Sequence, residues 1–510
     1  MNDRIRQRIE QRKRRVARRL DKRDNRGCHK PMLTAENIQY EIAERVRAVA
    51  PGGLGAIHLV ARRLGLIEGI DRHLRLLKIH MPYHESDHVL NSAYNLLCGG
   101  TCLEHLEILR NNEAYLDALG ARRVPDPTTA GDFCRRFDQQ AIDTLQEVFN
   151  ETRLKAWRRQ GGEFFDRAVI DADGTMVETS GECKQGIDIN HKGQWGYHVL
   201  LVSLANTGEP LYLLNRPGNR PSHEGAAEYL DRSIRLCRRA GFRKILLRGD
   251  TDFTQSEHLD RWDADGVQFV FGIDARDNLY ERAANLAKTA WKRLRRPAKY
   301  EVKTSPRARP QRVKQQIVEQ REFTDIRLVR EHVAEFPYRP TKCKTTYRVV
   351  VVWKDLDVHK GQRFLFDDMR CFFYITNDWE SPAEEIVFAA NGRCGQEKLI
   401  GQLKDAHALA APLDNLASNG AYMVMASLAW SLKAWAALLL PAKGRWKEKH
   451  QQEKHRLLRM DLATFRQALI QVPAQIVRTS RRIVYRLLGW NPWQHVFFRL
   501  LDQLRLPLRC

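Results

Sequence analysis

The hydrophobic pattern of the chain changes its period near residue 165, and this change constrains the fold more than any other feature. Before it, from about 35 to 160, apolar residues recur at helical spacing. After it, short apolar runs alternate with polar loops, which is typical of strands. The predicted elements are strands at 168–173, 195–205 and 209–216, a helix at about 222–240, a strand at 244–249, a helix near 255–264 and a strand at 267–273. This order, βββαβαβ, predicts an α/β protein built on a mixed sheet.

The same pattern divides the chain into five regions. Further strand-like runs at 322–330, 345–355 and 370–378 follow the first sheet before the chain returns to helices. The predicted regions are a helical region with a basic arm at 1–160, the first part of the core at 161–275, a β-rich insertion at 276–374, the second part of the core at 375–440, and a basic helical region at 441–510. The insertion is therefore expected to interrupt one core.

The charge of the chain indicates the class of its partner. Its formal net charge is +23, while 43% of its residues are hydrophobic and can form a folded core. A folded chain this basic favours a polyanion, most often nucleic acid, although a ribosome or an anionic membrane would also suit the charge. The run at 4–26, with Arg12, Arg14 and Arg15, predicts a basic helix or arm that contacts DNA. A solvated tail without a role is the alternative.

One apolar segment has to be distinguished from a membrane span. Residues 421–440 approach the length of a span but include Lys433, so they predict a buried helix and no membrane association. The N-terminus lacks the apolar core of a signal peptide, and the ten cysteines include no CxxC pair. These features favour a cytoplasmic protein with reduced thiols.

Acidic residues close two of the predicted strands. Asp171 and Asp173, in the motif VIDADGT, are two residues apart and therefore point to the same face of their strand. Asp173 is the preferred functional residue because it stands at the strand end before a glycine, and Asp171 is the reserve ligand. Asp250 directly follows the run LLRG and is preferred over Asp252. Because a lone aspartate after a strand is usually a cap, the prediction needs a third acid.

The third acid lies on a later helix, in the segment NGRCGQEKLIGQLK (391–404). At about 100° per residue, Arg393, Glu397 and Lys404 share one narrow helix face. A carboxylate flanked by a guanidinium and an ammonium suits a metal ion beside a DNA phosphate. Carboxylate oxygens are the ligands that Mg²⁺ prefers, and two such ions can activate a nucleophile and stabilise a leaving oxygen in phosphodiester cleavage. The three acids therefore predict a metal-dependent phosphoryl-transfer centre.

A short segment upstream of the sheet is a further candidate for contact with DNA. In DPTTAGDFCRRFD, Thr129 followed three residues later by Asp132 predicts a capped helix. Arg135 and Arg136 follow on that helix and could face DNA. An ordinary capped surface helix is an equal alternative.

These motifs together resemble those of the DDE transposases of bacterial insertion sequences, most closely the IS thirteen-eighty group of the cut-and-paste clan. The resemblance is strong over 165–440, where DADGT and RGDTDF look like the first- and second-aspartate motifs and the segments 191–201 and 216–230 look like those between them. The spacing R-x3-E-x6-K is similar to the family's glutamate signature, although Ala390 stands where a tyrosine is usual. By analogy, the predicted strand order is that of the ribonuclease H-like fold.

The resemblance implies a specific reaction. Asp173, Asp250 and Glu397 would bind two Mg²⁺ ions, with Mn²⁺ as a substitute, and Arg393 and Lys404 would bind phosphates near the cut. Water would cut at each end of the element, a hairpin on the element end is the implied route of release, and the freed 3′-OH would attack target DNA. The implied partners are duplex DNA, both terminal inverted repeats and target, and a second copy of the chain in a dimer on DNA. The expected location is the bacterial nucleoid.

Aromatic and imidazole side chains have weaker assignments. Trp353, on the insertion, could stack on an unpaired base, but after a valine run a sheet-packing role is preferred. His191, His198 and His223 are expected to stabilise the fold or contact DNA, because metal-assisted phosphoryl transfer needs no histidine base.

Two other functional interpretations are compatible with the same three acids. A ribonuclease H-fold nuclease would cut DNA without joining it, and a domesticated, catalytically silent derivative would only bind it. The intact acids and Lys404 argue against decay, while Ala390 leaves the second possibility open.

Overall fold

The structure, a computed structural model, describes residues 3–21, 35, 38–40, 42, 46–296, 325–360, 362–363, 368–479 and 482–505. The helices are α1 Asp3–Asp21, α2 Leu54–Arg63, α3 Leu66–His73, α4 Glu85–Cys98, α5 His105–Arg110, α6 Glu113–Leu119, α7 Pro127–Cys134, α8 Gln139–Trp157, α9 Ala226–Ala240, α10 Ser256–Ala264, α11 Asp277–Ala284, α12 Ala383–Asn391, α13 Cys394–Asp405, α14 Leu416–Leu438, α15 Lys447–Arg459, α16 Leu462–Phe465 and α17 Gln494–Arg505.

The strands form one large sheet and one small one. They are β1 Ala48–Val49, β2 Arg167–Glu178, β3 Asp188–Ile189, β4 Trp195–Leu204, β5 Glu209–Pro217, β6 Lys244–Gly249, β7 Gln268–Ile273, β8 Lys292–Arg293, β9 Asp325–Tyr338, β10 Tyr347–Lys360, β11 Gln362–Arg363, β12 Asp368–Thr376, β13 Ala474–Arg478 and β14 Ile483–Leu487. The five strands predicted between residues 168 and 273 are confirmed, and the protein is a mixed α/β structure.

The large sheet has a parallel centre and antiparallel flanks. Strand β2 pairs in parallel with β6, and β6 pairs in parallel with β7. On the other side, β2 pairs antiparallel with β4, and β4 pairs antiparallel with β5. Because parallel strands need crossover connections, helices α9 and α10 link β5 to β6 and β6 to β7. The carboxyl ends of β2 and β6 therefore lie at the same edge of the sheet.

The region predicted as a β-rich insertion extends this sheet. Strand β12 pairs antiparallel with β7, and the order continues through β10 and β9 to β8. Hydrogen bonding to β12 satisfies the outer edge of β7, which would otherwise present unpaired backbone groups. Strand β12 also runs past the predicted boundary at 374 to Thr376. Part of the predicted insertion, residues 297–324, lies outside the described residues.

Helix α14 is the centre of the helical part of the molecule. It is the one helix of the described residues that is long and apolar enough to cross a membrane, and its apolar window is entirely buried inside the protein. It packs against β5, α4 and α8. Apolar residues on all sides of a helix are typical of a core helix enclosed by its neighbours. The prediction of a buried helix at 421–440 is confirmed.

The C-terminal region is not wholly helical, which corrects the sequence prediction. Strands β13 and β14 form a hairpin, and β13 also pairs with β1 from the N-terminal region. Both hairpin strands, AQIVR and IVYRL, contain an adjacent isoleucine and valine, β-branched residues that favour strands over helices. The small sheet thus joins the two ends of the described chain.

Candidate active site

Two of the predicted acids flank the point where the central strands separate. The β2–β6 pairing ends at Asp171 opposite Arg248, and β6 itself ends at Gly249. Asp250 directly follows β6, as predicted. The prediction that Asp173 ends its strand is wrong, because β2 continues along β4 to Glu178, and Asp173 lies within it, two residues beyond the last β2–β6 pair. Because β6 ends there while β2 continues, both carboxylates reach the same space while the sheet fixes their direction.

Arg393 stands among the three predicted acids. Its Nη1 lies 3.2 Å from Oδ2 of Asp173 and 3.9 Å from Oδ2 of Asp250, and its Nη2 lies 3.2 Å from Oε1 of Glu397. The structure therefore brings Asp173, Asp250 and Glu397 together around one guanidinium, although Asp173 and Arg393 are 220 positions apart.

The helix that carries Glu397 is attached to the sheet by a buried amide. Arg393 is the residue before α13 and has helical backbone angles, so it lies one turn from Glu397, while Lys404 lies in the last turn of α13. Gln396 is buried; its Nε2 donates to the Leu201 carbonyl at 2.9 Å, and its Oε1 accepts from Ser203. This anchor on β4 sets the position of Glu397. Gln396 could not be identified from the sequence, because a glutamine beside a glutamate forms no recognisable pattern.

Asp171, the reserve ligand, has a different partner. Both of its oxygens accept hydrogen bonds from Arg248, at 2.7 and 2.8 Å, and the pair is buried. Nη1 of Arg248 also donates to the Ala389 carbonyl at 2.8 Å, which ties β6 to α12. The next residue is Ala390, at the position where the family's tyrosine is usual. Asp171 therefore positions the site through a bidentate ion pair, a geometry that only arginine provides.

Burial and crowding set the electrostatics of the three acids. The side chains are increasingly exposed in the order Asp173, Asp250 and Glu397, at 13%, 34% and 56%. Burial raises the pKa of Asp173 to about 7, while Arg393 opposes the shift and the neighbouring carboxylates add to it. Burial likewise raises the pKa of Asp250. The cluster thus holds more negative charge than Arg393 alone compensates, and it attracts further cations.

The donor set suits a hard cation, although a formed metal cage is absent. Among the residues that the structure describes, no three Asp, Glu, His or Cys side chains are close enough to form a metal site. The Arg393 guanidinium, a positive group, lies between the three carboxylates. The guanidinium is thus a positive group near all three acids, and it lies where a metal cation would also be attracted. Oxygen-only ligands of this kind match Mg²⁺ in chemistry.

The predicted helix with two arginines begins earlier than the sequence pattern indicated. Asp126, and not Thr129, caps α7, because the Asp126 side chain accepts from the Thr129 amide and Pro127 occupies the first helical position. Arg135 and Arg136 follow the end of the helix. Arg135 pairs with Asp132 at 2.8 Å and with Asp414 at 3.1 Å, whereas Arg136 is exposed.

The remaining candidates lie away from the carboxylates in sequence and have their own contacts. In α1, Nη1 of Arg12 donates to the Leu487 carbonyl at 2.6 Å, while Arg14 and Arg15 are exposed. The ring of Trp353, in β10, packs edge to face on Trp291 with centroids 5.2 Å apart. The predicted sheet-packing role of Trp353 matches this contact.

Comparison with known proteins gives one broad match. The family described as Transposase DDE domain group 1 matches residues 43–508. No curated protein matches. Among solved structures, the chain is similar to the piggyBac transposase in a cryo-EM synaptic complex with hairpin DNA, at 8% identity, with 82% of each chain covered and a TM-score of 0.37. At that score the likeness supports no conclusion about fold or function.

Proposed function

Because the chain belongs to the Transposase DDE domain group 1 family, we propose that it cuts DNA at the ends of a mobile element and joins those ends to target DNA. The observation that carries the proposal is the convergence of Asp173, Asp250 and Glu397 on the Arg393 guanidinium. Three carboxylates from the interior of β2, the end of β6 and a distant helix meet around one guanidinium. Burying ionised carboxylates near one another costs stability, and such a cost is typical of functional sites.

The catalytic core belongs, in this proposal, to the ribonuclease H-like class. The order β5-β4-β2-β6-β7, in which β4 runs antiparallel to the other four strands, supports this assignment. The placement in the IS thirteen-eighty group is supported by the spacing of Arg393, Glu397 and Lys404 and by the segments around 191–201 and 216–230.

The chemistry of the site follows from its charges. Asp173, Asp250 and Glu397 would bind two Mg²⁺ ions. Such ions, when bound, activate water or a 3′-OH and stabilise the leaving oxygen. Arg393 and Lys404 bind the phosphates next to the cut, and Gln396 and the Asp171–Arg248 pair keep the helix and strands in position. Arg393 is suited to the phosphate because a guanidinium released by the carboxylates can donate two parallel hydrogen bonds to a phosphate.

The rest of the chain supplies DNA binding. The surplus of 85 basic over 62 acidic residues suits a long contact with the DNA backbone. The helical region before β2 and the basic α1 would bind the terminal inverted repeats. A cut-and-paste reaction handles two element ends together, so two copies of the chain assemble on DNA, each with one set of acids.

The proposal is tested by separating binding from cleavage. Duplex DNA carrying an end of the element is incubated with Mg²⁺ and either wild-type protein or Glu397→Gln. Both proteins should bind the end, and only wild type should cut it, because the amide keeps the shape of the side chain and removes its charge. Glu385→Gln, on the exposed side of α12, is the matched control and should cut normally. Cleavage by Glu397→Gln at the wild-type rate would contradict the assignment, and binding without cleavage by wild type would favour a silent derivative.

A further inference from the structure

The ring of His198 lies directly against the backbone that follows Asp173. His198, in β4, is paired across the strands with Met176, two residues beyond Gly174. A Cβ atom at Gly174 would lie 2.6 Å from Cε1 and 3.2 Å from Nε2 of the ring, and 3.1 Å from Cβ of Ser222. Glycine in the motif DADGT is therefore required by the close approach of this ring.

A buried arginine fixes the orientation of that ring. Arg216, in β5, is buried, and its Nη2 lies 2.9 Å from Nδ1 of His198. The same guanidinium also donates to the carbonyls of Pro221 and Ser222, at 3.0 and 3.2 Å, and to that of Glu224. Because a guanidinium can only donate, Nδ1 is the acceptor and the ring hydrogen lies on Nε2. Burial, and then the charge of Arg216, lower the pKa of His198 to about 4, so the ring is neutral at pH 7.

The second nitrogen of this ring, Nε2, is not engaged by the part of the protein that the structure describes. Among the described residues, none forms a hydrogen bond with Nε2 of His198, whereas Nδ1 is fixed by Arg216. The other charged groups that act on the ring are Asp252, next to the second acid, and Lys404, on the helix of the third acid. Lys404 forms no ion pair with a carboxylate in the part of the chain that the structure describes. The neutral N–H donor therefore lies against the backbone that follows Asp173, and the Lys404 ammonium is close enough for its charge to act on the same ring.

We propose that Nε2 of His198, together with Lys404, forms a binding subsite for one non-bridging oxygen of a DNA phosphodiester beside Asp173. The inference rests on the proposed function and names a contact that the glutamate signature does not contain. A neutral donor suits this place because a second arginine would form an ion pair with Asp173 and so compete with the cations that the acids attract. Arg216 is the positioning residue, since it acts only by fixing the ring.

We expect Nε2 of His198 to donate a hydrogen bond to one phosphate oxygen of the DNA. Binding of an element-end duplex is measured without divalent cations, with a neutral methylphosphonate replacing each phosphate in turn. For wild type, replacement of one particular phosphate near the cleavage site should weaken binding about tenfold or more. This is the usual size of the effect when a hydrogen bond with a charged group is lost. His198→Leu should bind the unmodified duplex correspondingly more weakly. Methylphosphonate at that phosphate should then weaken binding by the variant less than it weakens binding by wild type. His198→Gln, whose amide reaches the position of Nε2, should restore the contact.

Two further variants keep the test decisive. Lys404→Met changes an exposed side chain, so it should fold normally, and its sensitivity to methylphosphonate at the same phosphate should fall. His191→Leu removes an exposed histidine from a nearby loop and should keep the wild-type profile. If His198→Leu and Lys404→Met both keep the full wild-type loss at every phosphate, the subsite is refuted, whereas failure of wild type to bind the duplex at all would instead refute the proposed function.

Discussion

At the scale of single residues, two aspartates that are neighbours in one motif have opposite roles. Asp171 is buried in a bidentate pair with Arg248, and Asp173 is partly exposed beside Arg393. The alternation of strand residues places both on one face, so the sequence pattern ranks them only by their distance from the strand end. The difference arises from the parallel register of β2 and β6, which sets Asp171 opposite Arg248.

Substitution of each aspartate should separate these roles. Asp171→Asn should lower the free energy of unfolding by about 3–5 kcal/mol, because it leaves the Arg248 charge buried without a partner. Asp173→Asn should not lower it at pH 8. The pKa of Asp173 in the folded protein is raised to about 7. The protonated carboxyl therefore favours the folded state at low pH, and this stabilisation is lost as the pH rises through 7. At pH 8 the carboxylate is ionised and destabilises the fold. Denaturant unfolding without metal measures both, and equal losses would contradict the distinction.

The sequence identified the acids of the candidate site but not the residues that hold them. Asp250 and Glu397 could be predicted because a strand end and helix spacing are local patterns. Asp173 was also identified, although it lies within β2 and not at the predicted strand end. Arg248, Gln396 and Arg216 were missed, because their partners lie on other strands and only the sheet register brings them together. The single local signal for Arg216 and His198 was their place in the two segments that resemble those of known transposases.

At the scale of elements, helix α14 tolerates a charge in its buried core. Lys433 is 5% exposed, and burial lowers its pKa to about 8. Asp461 and Glu209 oppose the shift. The buried charge of Lys433 therefore lowers the stability of the fold, and the surrounding apolar contacts offset this cost.

Lys433→Met should stabilise the protein in a pH-dependent way. Between pH 8 and 10.5 the unfolded chain keeps a proton that the folded chain has released, so wild-type stability rises with pH across this window. Methionine should therefore add about 3 kcal/mol at pH 7, less at pH 9 and little at pH 10.5. Lys447→Met, at an exposed position of α15, should change stability by less than about 0.5 kcal/mol at each pH. A gain for Lys433→Met that does not vary with pH would contradict the role of the buried charge.

Element types were predictable where periodicity was strong and uninterrupted. The strands of the core and helix α14 followed from it, whereas the hairpin of β13 and β14 did not, because two five-residue strands within a basic region give a weak signal. The extension of the core sheet by β12, β10 and β9 also could not be predicted, since the choice of β7 as partner is a tertiary contact.

At the scale of the whole molecule, the two ends of the described chain meet. Strand β1 pairs with β13, and Arg12 of α1 donates to the carbonyl of Leu487 in β14. The basic helix is therefore attached to the C-terminal region, and its exposed arginines, Arg14 and Arg15, remain available for a polyanion.

The salt dependence of DNA binding should depend on those exposed arginines. Arg14→Gln combined with Arg15→Gln should reduce the slope of log K against log salt by about 2, because each phosphate contact contributes roughly 0.9. Arg12→Gln is the matched contrast and should reduce the slope by less than about 1, since its guanidinium donates to a backbone carbonyl. Fluorescence anisotropy over a salt series gives both slopes, and an unchanged slope in the double variant would remove α1 from the DNA interface.

The claim that Asp173, Asp250 and Glu397 together perform transposition can be checked with an excision and joining assay. Supercoiled DNA carrying both flanking ends of the gene is incubated with Mg²⁺ and a target plasmid, using wild type, Asp173→Asn, Asp250→Asn and Glu397→Gln. Wild type should give excised element and joined product, and each of the three variants should give neither. Cut ends without joined product would indicate a nuclease, and joined product from any one of the variants would contradict the claim.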